Sequence, residues 1–254
     1  MKNLVIIGAT SAIAHNCVRL WIEDNYDEIY LVGRNDEKLL DMKNDLETRC
    51  IGIGLNTMIK TIILDDFSDP DKIESVVNST CEDVIPHTVL IAQGTSLTPN
   101  EEMQNNLSKL KASLEINSVS PILFLEKFVN AMLKENRGRI GVIGSVAGDR
   151  GRLTNYVYGS AKGCIEKYVQ GVHHRLGYER SSLRVTLIKP GPTATPMTVN
   201  LPNREKMADV KQVAQTVVRA VNKGKRIVYV PFKWKVIMAV IRNMPYFIFN
   251  HLKI

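Results

Sequence analysis

The sequence has 254 residues, of which 44% are hydrophobic and 23% are charged, and it carries a formal net charge of +7. This length and apolar content are sufficient for one domain with a large buried core. The positive charge suits phosphorylated small molecules as well as polyanions, so it gives no reason to expect a nucleic-acid partner.

The four cysteines, Cys17, Cys50, Cys81 and Cys164, lie far from one another and from any cluster of histidines. This pattern predicts reduced thiols in a cytoplasmic protein, with no disulfide framework and no metal site. We expect no signal peptide, because the first apolar strand begins almost at the N-terminus without a charged leader. We also expect no membrane-spanning helix, since there is no run of about 18 apolar residues.

Residues 4–7 form a short, wholly apolar run that predicts a buried parallel strand. The sequence Gly-Ala-Thr-Ser-Ala-Ile-Ala follows at residues 8–14, and a helix is predicted from there to about Glu23. A turn between a strand and a helix can bind a pyrophosphate with the free amides of the helix N-terminus, and small residues allow close approach. The alternative is an ordinary tight turn with no ligand.

A second strand at residues 28–32 ends in Gly33, Arg34 and Asn35. In a dinucleotide-binding fold this position meets the adenosine ribose, where an acid binds the 2′-hydroxyl of NAD and an arginine accommodates the 2′-phosphate of NADP. Arg34 therefore predicts a preference for NADP(H) over NAD(H). The alternative is a solvated arginine before the amphipathic helix predicted at residues 36–48.

Further strands are predicted at residues 58–64 and 88–92, each followed by a helix. The second of these helices begins near Glu102 and is long, but Asn117 interrupts it and Pro121 makes a kink or restart plausible. Residues 51–56, 94–103 and 192–208 are predicted to be irregular connections within one domain.

A strand at residues 139–143 leads through Gly144 to Ser145, and a helix at 156–177 begins with Tyr158 and Lys162. Because Tyr158 and Lys162 are four residues apart, they share one helix face, where an ammonium would lower the pKa of the phenol. Such a phenol can donate a proton, and Ser145 is placed to hydrogen-bond the same substrate oxygen. The alternative is a Tyr-Lys pair without chemistry.

The C-terminal part continues the alternation, with strands predicted at 184–188 and 227–230 around a helix at 209–222. A rigid Pro/Gly turn follows the first of these strands at residues 189–197. The whole pattern predicts an α/β fold, a doubly wound parallel sheet of about seven strands with helices on both faces, in one domain at residues 1–230. Ligands bind such sheets beyond the strand C-termini, where five of the residues above fall: Gly8, Arg34, Gly94, Ser145 and Pro190.

These motifs together resemble the short-chain dehydrogenase/reductase family over residues 3–230. Ser145 precedes Tyr158 by thirteen residues and follows Asn117 by twenty-eight, both typical of that family. The resemblance implies a Rossmann-type fold, an NAD(P)-dependent oxidoreductase that interconverts a carbonyl and a secondary alcohol, and a homodimer or homotetramer. The catalytic set it implies is Asn117, Ser145, Tyr158 and Lys162. A catalytically idle nucleotide-binding or regulatory member of the family is the alternative.

The resemblance also implies roles at the cofactor site. Asp66 would contact adenine, Asn117 would help to hold a proton-relay water, and Lys162 would bind the nicotinamide ribose. The implied cofactor-binding residues are Gly8, Thr10, Ser11, Ile13, Arg34, Asp66, Ala92, Gly94, Tyr158, Lys162, Pro190, Gly191, Thr193 and Thr195. The sequence departs from the family pattern at Ala12 and Ala14, which replace glycines, at Gln93 within Ala-Gln-Gly, and at Lys189, where asparagine is common.

Two further features are less specific. The Gly-Asp-Arg-Gly-Arg sequence after Ser145 and the tail at residues 231–254 resemble bacterial reductases of cell-envelope sugars, including decaprenylphosphoryl keto-sugar reductases. Arg150 and Arg152 would then suit a phosphate-bearing substrate, unless they are solvated or pair with Asp149. The tail is apolar, aromatic and basic. It is suited to the inner surface of a membrane, or else it packs over the substrate cleft or a second subunit.

Overall fold

A computed structural model describes residues 1–95, 100–199 and 204–252. Its centre is a parallel sheet of seven strands, as the alternating apolar runs predict, and the strand order is β3-β2-β1-β4-β5-β6-β7. The strands are β1 (Asn3–Ile7), β2 (Glu28–Gly33), β3 (Met58–Ile63), β4 (Thr88–Ile91), β5 (Arg139–Ile143), β6 (Arg184–Pro190) and β7 (Ile227–Val230).

Helices cover both faces of the sheet. They are α1 (Ala12–Trp21), α2 (Asp36–Gly52), α3 (Pro70–Cys81), α4 (Asn100–Gln104), α5 (Leu107–Leu114), α6 (Ser120–Leu133), α7 (Tyr156–Tyr178), α8 (Val210–Asn222), α9 (Lys233–Asn243) and α10 (Tyr246–Phe249). None of the helices in the described ranges is long and apolar enough to cross a membrane.

Two apolar cores form because successive side chains of a buried strand point to opposite faces. In β1, Leu4 and Ile6 pack into the core beneath α1, α2 and α8. Val5 and Ile7 pack into the other core, beneath α3, α6 and α7. Residues 4–7 of β1 are wholly apolar because helices cover both faces of the sheet at this strand.

The position of the site follows from the strand order. β1 pairs with β2 on one side and with β4 on the other, so the chain reverses its direction of winding at β1. A crevice opens beyond the strand C-termini at such a reversal. The loops after β1, β4, β5 and β6 therefore converge on one cavity.

Several predicted boundaries differ from the structure. The helical region predicted from Glu102 is divided into α4, α5 and α6, with a π-helical segment at Glu115–Val119 that contains Asn117, and Pro121 lies in the first turn of α6. Helix α2 continues to Gly52, so the irregular connection predicted at 51–56 begins two residues too early. The predicted connections at 94–103 and 192–208 fall partly on residues 96–99 and 200–203, outside the described ranges.

Candidate active site

A cavity of about 410 Å³ lies beyond the C-terminal ends of the strands. It brings together all of the residues predicted for catalysis or cofactor binding except Asp66, and one of the two arginines predicted for the substrate. The predicted residues that line it are Gly8, Thr10, Ser11, Ile13, Arg34, Ala92, Gly94, Asn117, Ser145, Arg152, Tyr158, Lys162, Pro190, Gly191, Thr193 and Thr195.

The turn after β1 has the geometry of a phosphate-binding turn. Gly8 has a φ of +74°, and a Cβ at this position would lie 2.6 Å from the backbone nitrogen of Gln93, so a side chain does not fit. Helix α1 begins behind this turn without an acidic residue in its first turn, and the side chain of its N-cap residue, Ser11, makes no capping hydrogen bond. The first amides of α1 are therefore not satisfied by a cap and are suited to an anion.

Ser145 and Tyr158 lie next to each other in the lining of the cavity. Ser145 follows β5, and its Oγ accepts a hydrogen bond of 3.1 Å from the backbone amide of Ala147. Burial raises the pKa of Tyr158 to about 12, although the hydrogen bond with Ser145 lowers it. The phenol is therefore protonated at neutral pH and has its oxygen beside the serine hydroxyl.

Lys162 lies on the same face of α7 as Tyr158, as the spacing predicts. Its Nζ lies 5.6 Å from the centre of the Tyr158 ring and donates a hydrogen bond of 3.3 Å to the carbonyl oxygen of Ile143. Burial lowers the pKa of Lys162 to about 8. The predicted lowering of the Tyr158 pKa toward neutral pH is wrong for this structure, because burial of the phenol raises its pKa and outweighs any effect of Lys162.

Hydrogen bonds made by its side chain fix the position of Asn117. Its Oδ1 accepts a hydrogen bond of 3.1 Å from the amide of Thr95, and its Nδ2 donates to the carbonyl oxygen of Ser113 at 3.0 Å. A Cβ on Gly94 would lie 3.0 Å from Asn117 Oδ1 and 4.0 Å from Lys162 Nζ. The π-helical segment thus places Asn117 against the loop after β4, on the same side of the cavity as Lys162.

The residues predicted for the adenosine end separate into two groups. Arg34 is exposed at the end of β2 and lines the cavity. Asp66 does not line it; its Oδ1 accepts a hydrogen bond of 2.7 Å from the amide of Ser68. The adjacent residue, Phe67, contributes to the lining instead, because local turn geometry directs the Asp66 carboxylate to the backbone.

The two arginines predicted for the substrate have different positions. Arg152 lines the cavity, its Nε is buried without a hydrogen-bond partner among the described residues, and burial lowers its pKa. Arg150 is not part of the lining. Its Nη1 donates hydrogen bonds of 2.6 Å to the carbonyl oxygens of Ile241 and Met244, and its guanidinium lies 3.7 Å from the centre of the Phe249 ring. The structure therefore assigns Arg150 to the tail rather than to the cavity.

A buried ion cluster supports the loop that follows Ser145. The side chains of Lys189 and Asp149 form an ion pair and are 1% and 0% exposed. Lys189 Nζ also contacts Glu166 Oε2 at 2.6 Å, and the hydroxyl of Tyr229 donates to Asp149 Oδ2 at 2.9 Å. This cluster is not predicted from the sequence, although the unusual Lys189 before Pro-Gly indicates that the position is special.

The tail packs beside the same site. A Cβ on Gly191 would overlap the indole of Trp234, so the first turn of α9 lies directly against the turn after β6. Met238 of α9 is fully buried. This placement agrees with the predicted alternative in which the tail packs near the substrate cleft.

Other residues of the cavity lining were not predicted as site residues, among them Gln93, Asn155 and Met197. Gln93, seen in the sequence only as a departure from the family pattern, donates from its Nε2 to Ser120 Oγ at 3.2 Å. Asn155, the N-cap residue of α7, has a buried Oδ1 without a hydrogen-bond partner in the described ranges. Met197 follows the Pro/Gly turn. Nothing in the sequence distinguishes Asn155 from an ordinary helix cap.

The cavity residues fit a nicotinamide dinucleotide. A turn that only glycine allows precedes an uncapped helix N-terminus, which suits the pyrophosphate, and Arg34 lines the cavity just beyond the end of β2. Lys162 and the turn at residues 190–195 line the other end of the same cavity, beside Tyr158.

Comparison with known proteins gives the same fold. The chain is 24% identical over 229 residues to an oxidoreductase of Staphylococcus epidermidis, which covers 89% of this chain and 93% of that one. A short chain dehydrogenase from Burkholderia cenocepacia in complex with NADP superposes with a TM-score of 0.76 at 18% identity, covering 96% and 95% of the two chains. A 3-oxoacyl-[acyl-carrier protein] reductase from Brucella melitensis with bound NAD has a TM-score of 0.72 at 21% identity, covering 90% and 89%.

The family assignment rests on a match to most of the chain. The sequence profile described as "short chain dehydrogenase" matches residues 2–206, which include the turn after β1, the Ser-Tyr-Lys set and the turn after β6. The chain belongs to the short-chain dehydrogenase/reductase family.

Proposed function

We propose that this protein is an NADPH-dependent reductase that interconverts a carbonyl group and a secondary alcohol. The observation that carries the proposal is the convergence of Ser145, Tyr158, Lys162 and Asn117 on one cavity beside the turn at Gly8. The test is oxidation of NADPH by the purified protein with a panel of ketones and keto-sugars. Binding of NADPH without turnover of any carbonyl compound would favour the catalytically idle alternative.

The side chains support a simple acid-catalysed mechanism. A bound nicotinamide cofactor supplies the hydride for the carbonyl carbon. Ser145 donates a hydrogen bond to the carbonyl oxygen, and Tyr158 donates its proton to the same oxygen. The raised pKa of Tyr158, about 12, keeps that proton on the phenol until the oxygen becomes basic. Lys162, whose lowered pKa is about 8, is largely protonated at neutral pH and stabilises the phenolate that remains.

Cofactor preference depends on Arg34 in this proposal. Replacing Arg34 by alanine is expected to lower the NADPH-to-NADH ratio of kcat/KM by about ten- to a hundredfold, because a charge-assisted hydrogen bond contributes about 1.5–3 kcal/mol. The ratio is measured by steady-state kinetics with both cofactors. Lys38→Ala is the matched control, since Lys38 is an exposed cation in the first turn of α2, close to Arg34 in the sequence. An unchanged ratio in Arg34→Ala would overturn the NADP assignment.

The part of the cavity that Arg152 and Asn155 line suits a substrate that carries an anionic group next to a hydroxyl group. Arg152 Nε is a buried donor and Asn155 Oδ1 a buried acceptor, and neither has a hydrogen-bond partner in the described part of the chain. Leaving such groups unpaired costs free energy that a substrate can recover. With the resemblance to cell-envelope sugar reductases, this pair supports a phosphate- or lipid-phosphate-linked keto-sugar as the substrate class.

Arg152→Ala is expected to raise the KM for a phosphorylated keto-sugar by about tenfold or more, because the loss of a hydrogen bond to a charged group costs about 1.5–3 kcal/mol. The KM for the corresponding unphosphorylated ketone is expected to change little. Both constants are measured by NADPH oxidation. Arg137→Ala, which removes an exposed arginine, controls for the change in net charge. An equal effect on both substrates would remove Arg152 from phosphate recognition.

The organisation of the protein follows from the same proposal. Residues 1–230 form the catalytic domain, and residues 231–254 form a tail attached to it. We place the enzyme in the cytoplasm, where its four free cysteines remain reduced, and at the inner face of the membrane, where a lipid-linked sugar is accessible. The assembly is a homodimer or homotetramer, as the family resemblance implies.

A further inference from the structure

The tail formed by α9 and α10 has an inner face that is fixed to the active-site loops. Trp234 packs against Gly191, and Met238 is fully buried. Arg150 holds the end of α9 through the carbonyl oxygens of Ile241 and Met244. These contacts fix the orientation of α9, so its opposite face points to solvent.

That outer face is apolar. Phe232, Val236 and Val240 follow one another at a spacing of four residues and therefore form one row along the helix. Their side chains are 68%, 58% and 60% exposed, and the aromatic rings of Tyr246 and Phe247 are exposed just beyond the row. An exposed apolar row on a helix whose other face is already buried indicates an interaction surface.

The charges of the tail favour one kind of partner. Residues 231–252 contain no aspartate or glutamate, and Lys233, Lys235 and Arg242 are exposed without an ion-pair partner in the described ranges. A second copy of this tail would offer these cations no acidic side chain, so a contact between two tails would bring positive charges together without compensation. A bilayer of anionic lipids offers acyl chains for the apolar row and phosphates for the lysines.

We infer that the outer face of α9, with the exposed rings of α10, docks onto an anionic phospholipid bilayer. The inner face keeps the active-site cavity next to that surface, because the same helix touches Gly191 and Arg150. Delivery of a lipid-linked substrate from the bilayer rests on the proposed function, whereas docking itself does not. Docking requires only the surface of the tail.

Sedimentation with vesicles tests the inference on the full-length protein. The protein is expected to sediment with phosphatidylcholine vesicles that contain phosphatidylglycerol, and to do so much less with pure phosphatidylcholine or at high salt. The double variant Val236→Glu/Val240→Glu is expected to lower the vesicle partition coefficient by about tenfold or more, because it places charges in the apolar row. Deleting the tail is a less suitable test, because it also removes the contact between Trp234 and Gly191.

The matched control is Ile51→Glu/Ile53→Glu, which changes the net charge equally at two exposed apolar side chains outside the tail, 77% and 52% exposed. Equal loss of binding in this control, equal binding to neutral vesicles, or no binding by the wild type would each overturn the inference. A dimer that only the Val236→Glu/Val240→Glu variant dissociates would assign the face to a second copy instead. Turnover of a water-soluble ketone without lipid is measured in parallel: docking without turnover contradicts only the proposed reductase.

Discussion

Replacing Tyr158 by phenylalanine is expected to lower kcat for carbonyl reduction by about 10²- to 10⁴-fold, the usual contribution of a positioned general acid. The variant removes only the phenolic oxygen, which lies beside Ser145 inside the cavity. Since the ring remains, the shape of the cavity is kept. Affinity for NADPH, measured by fluorescence titration, is expected to change little.

Tyr156→Phe is the matched control for this prediction. Tyr156 lies on the same turn of α7, but its hydroxyl is at the surface, where it accepts a hydrogen bond from Gln104. Loss of that hydroxyl is expected to leave kcat unchanged. If Tyr158→Phe retains the turnover of the wild type, Tyr158 is not the acid; if it loses affinity for NADPH as well, its role is structural.

The variant Lys189→Met is expected to lower the free energy of unfolding by about 3–5 kcal/mol, because it leaves a buried carboxylate without its cation. Burial opposes the charge of Lys189, yet hydrogen bonds with Asp149 and Glu166 keep its pKa above the usual value. The methionine keeps most of the side-chain volume, so the loss reports charge rather than packing. Urea denaturation followed by circular dichroism measures the change.

Lys72→Met provides the comparison for an exposed pair. Lys72 contacts Asp65 at 2.9 Å, but both side chains are at the surface, so its loss is expected to have little effect on stability. The double variant Lys189→Met/Asp149→Asn is expected to recover part of the stability, since it removes the unpaired charge. A loss for Lys189→Met no larger than that for Lys72→Met would show that the buried pair contributes nothing.

The parallel sheet and the meeting of Ser145, Tyr158 and Lys162 in one cavity could be predicted from local sequence, whereas the order of the strands could not. Buried parallel strands are apolar on both faces, and the C-terminal ends of such strands meet at one edge, which brings Ser145 and Gly8 together. The spacing of Tyr158 and Lys162 gives their common helix face. Each of these features depends on residues that are close in the sequence or on the C-terminal ends of successive strands.

What could not be predicted depends on contacts distant in the sequence. Arg150 and Arg152 are equivalent in the sequence, but only the fold brings the carbonyl oxygens of α9 to one of them. The pKa of Tyr158 depends on how deeply the ring is buried, and the spacing to Lys162 does not contain that information. Asp66 does not line the cavity for a different reason, since its carboxylate accepts a hydrogen bond from the nearby backbone amide of Ser68.

The contact between Trp234 and Gly191 has a consequence for exchanging parts between related proteins. Because any side chain at position 191 would overlap the indole, Gly191 can change only if Trp234 is replaced or moves. A chimaera that takes its C-terminal tail from one relative and its turn after β6 from another will join surfaces that have not been matched. The unit of exchange in this protein is therefore the turn after β6 together with α9, although Trp234 lies 43 positions after Gly191 in the sequence.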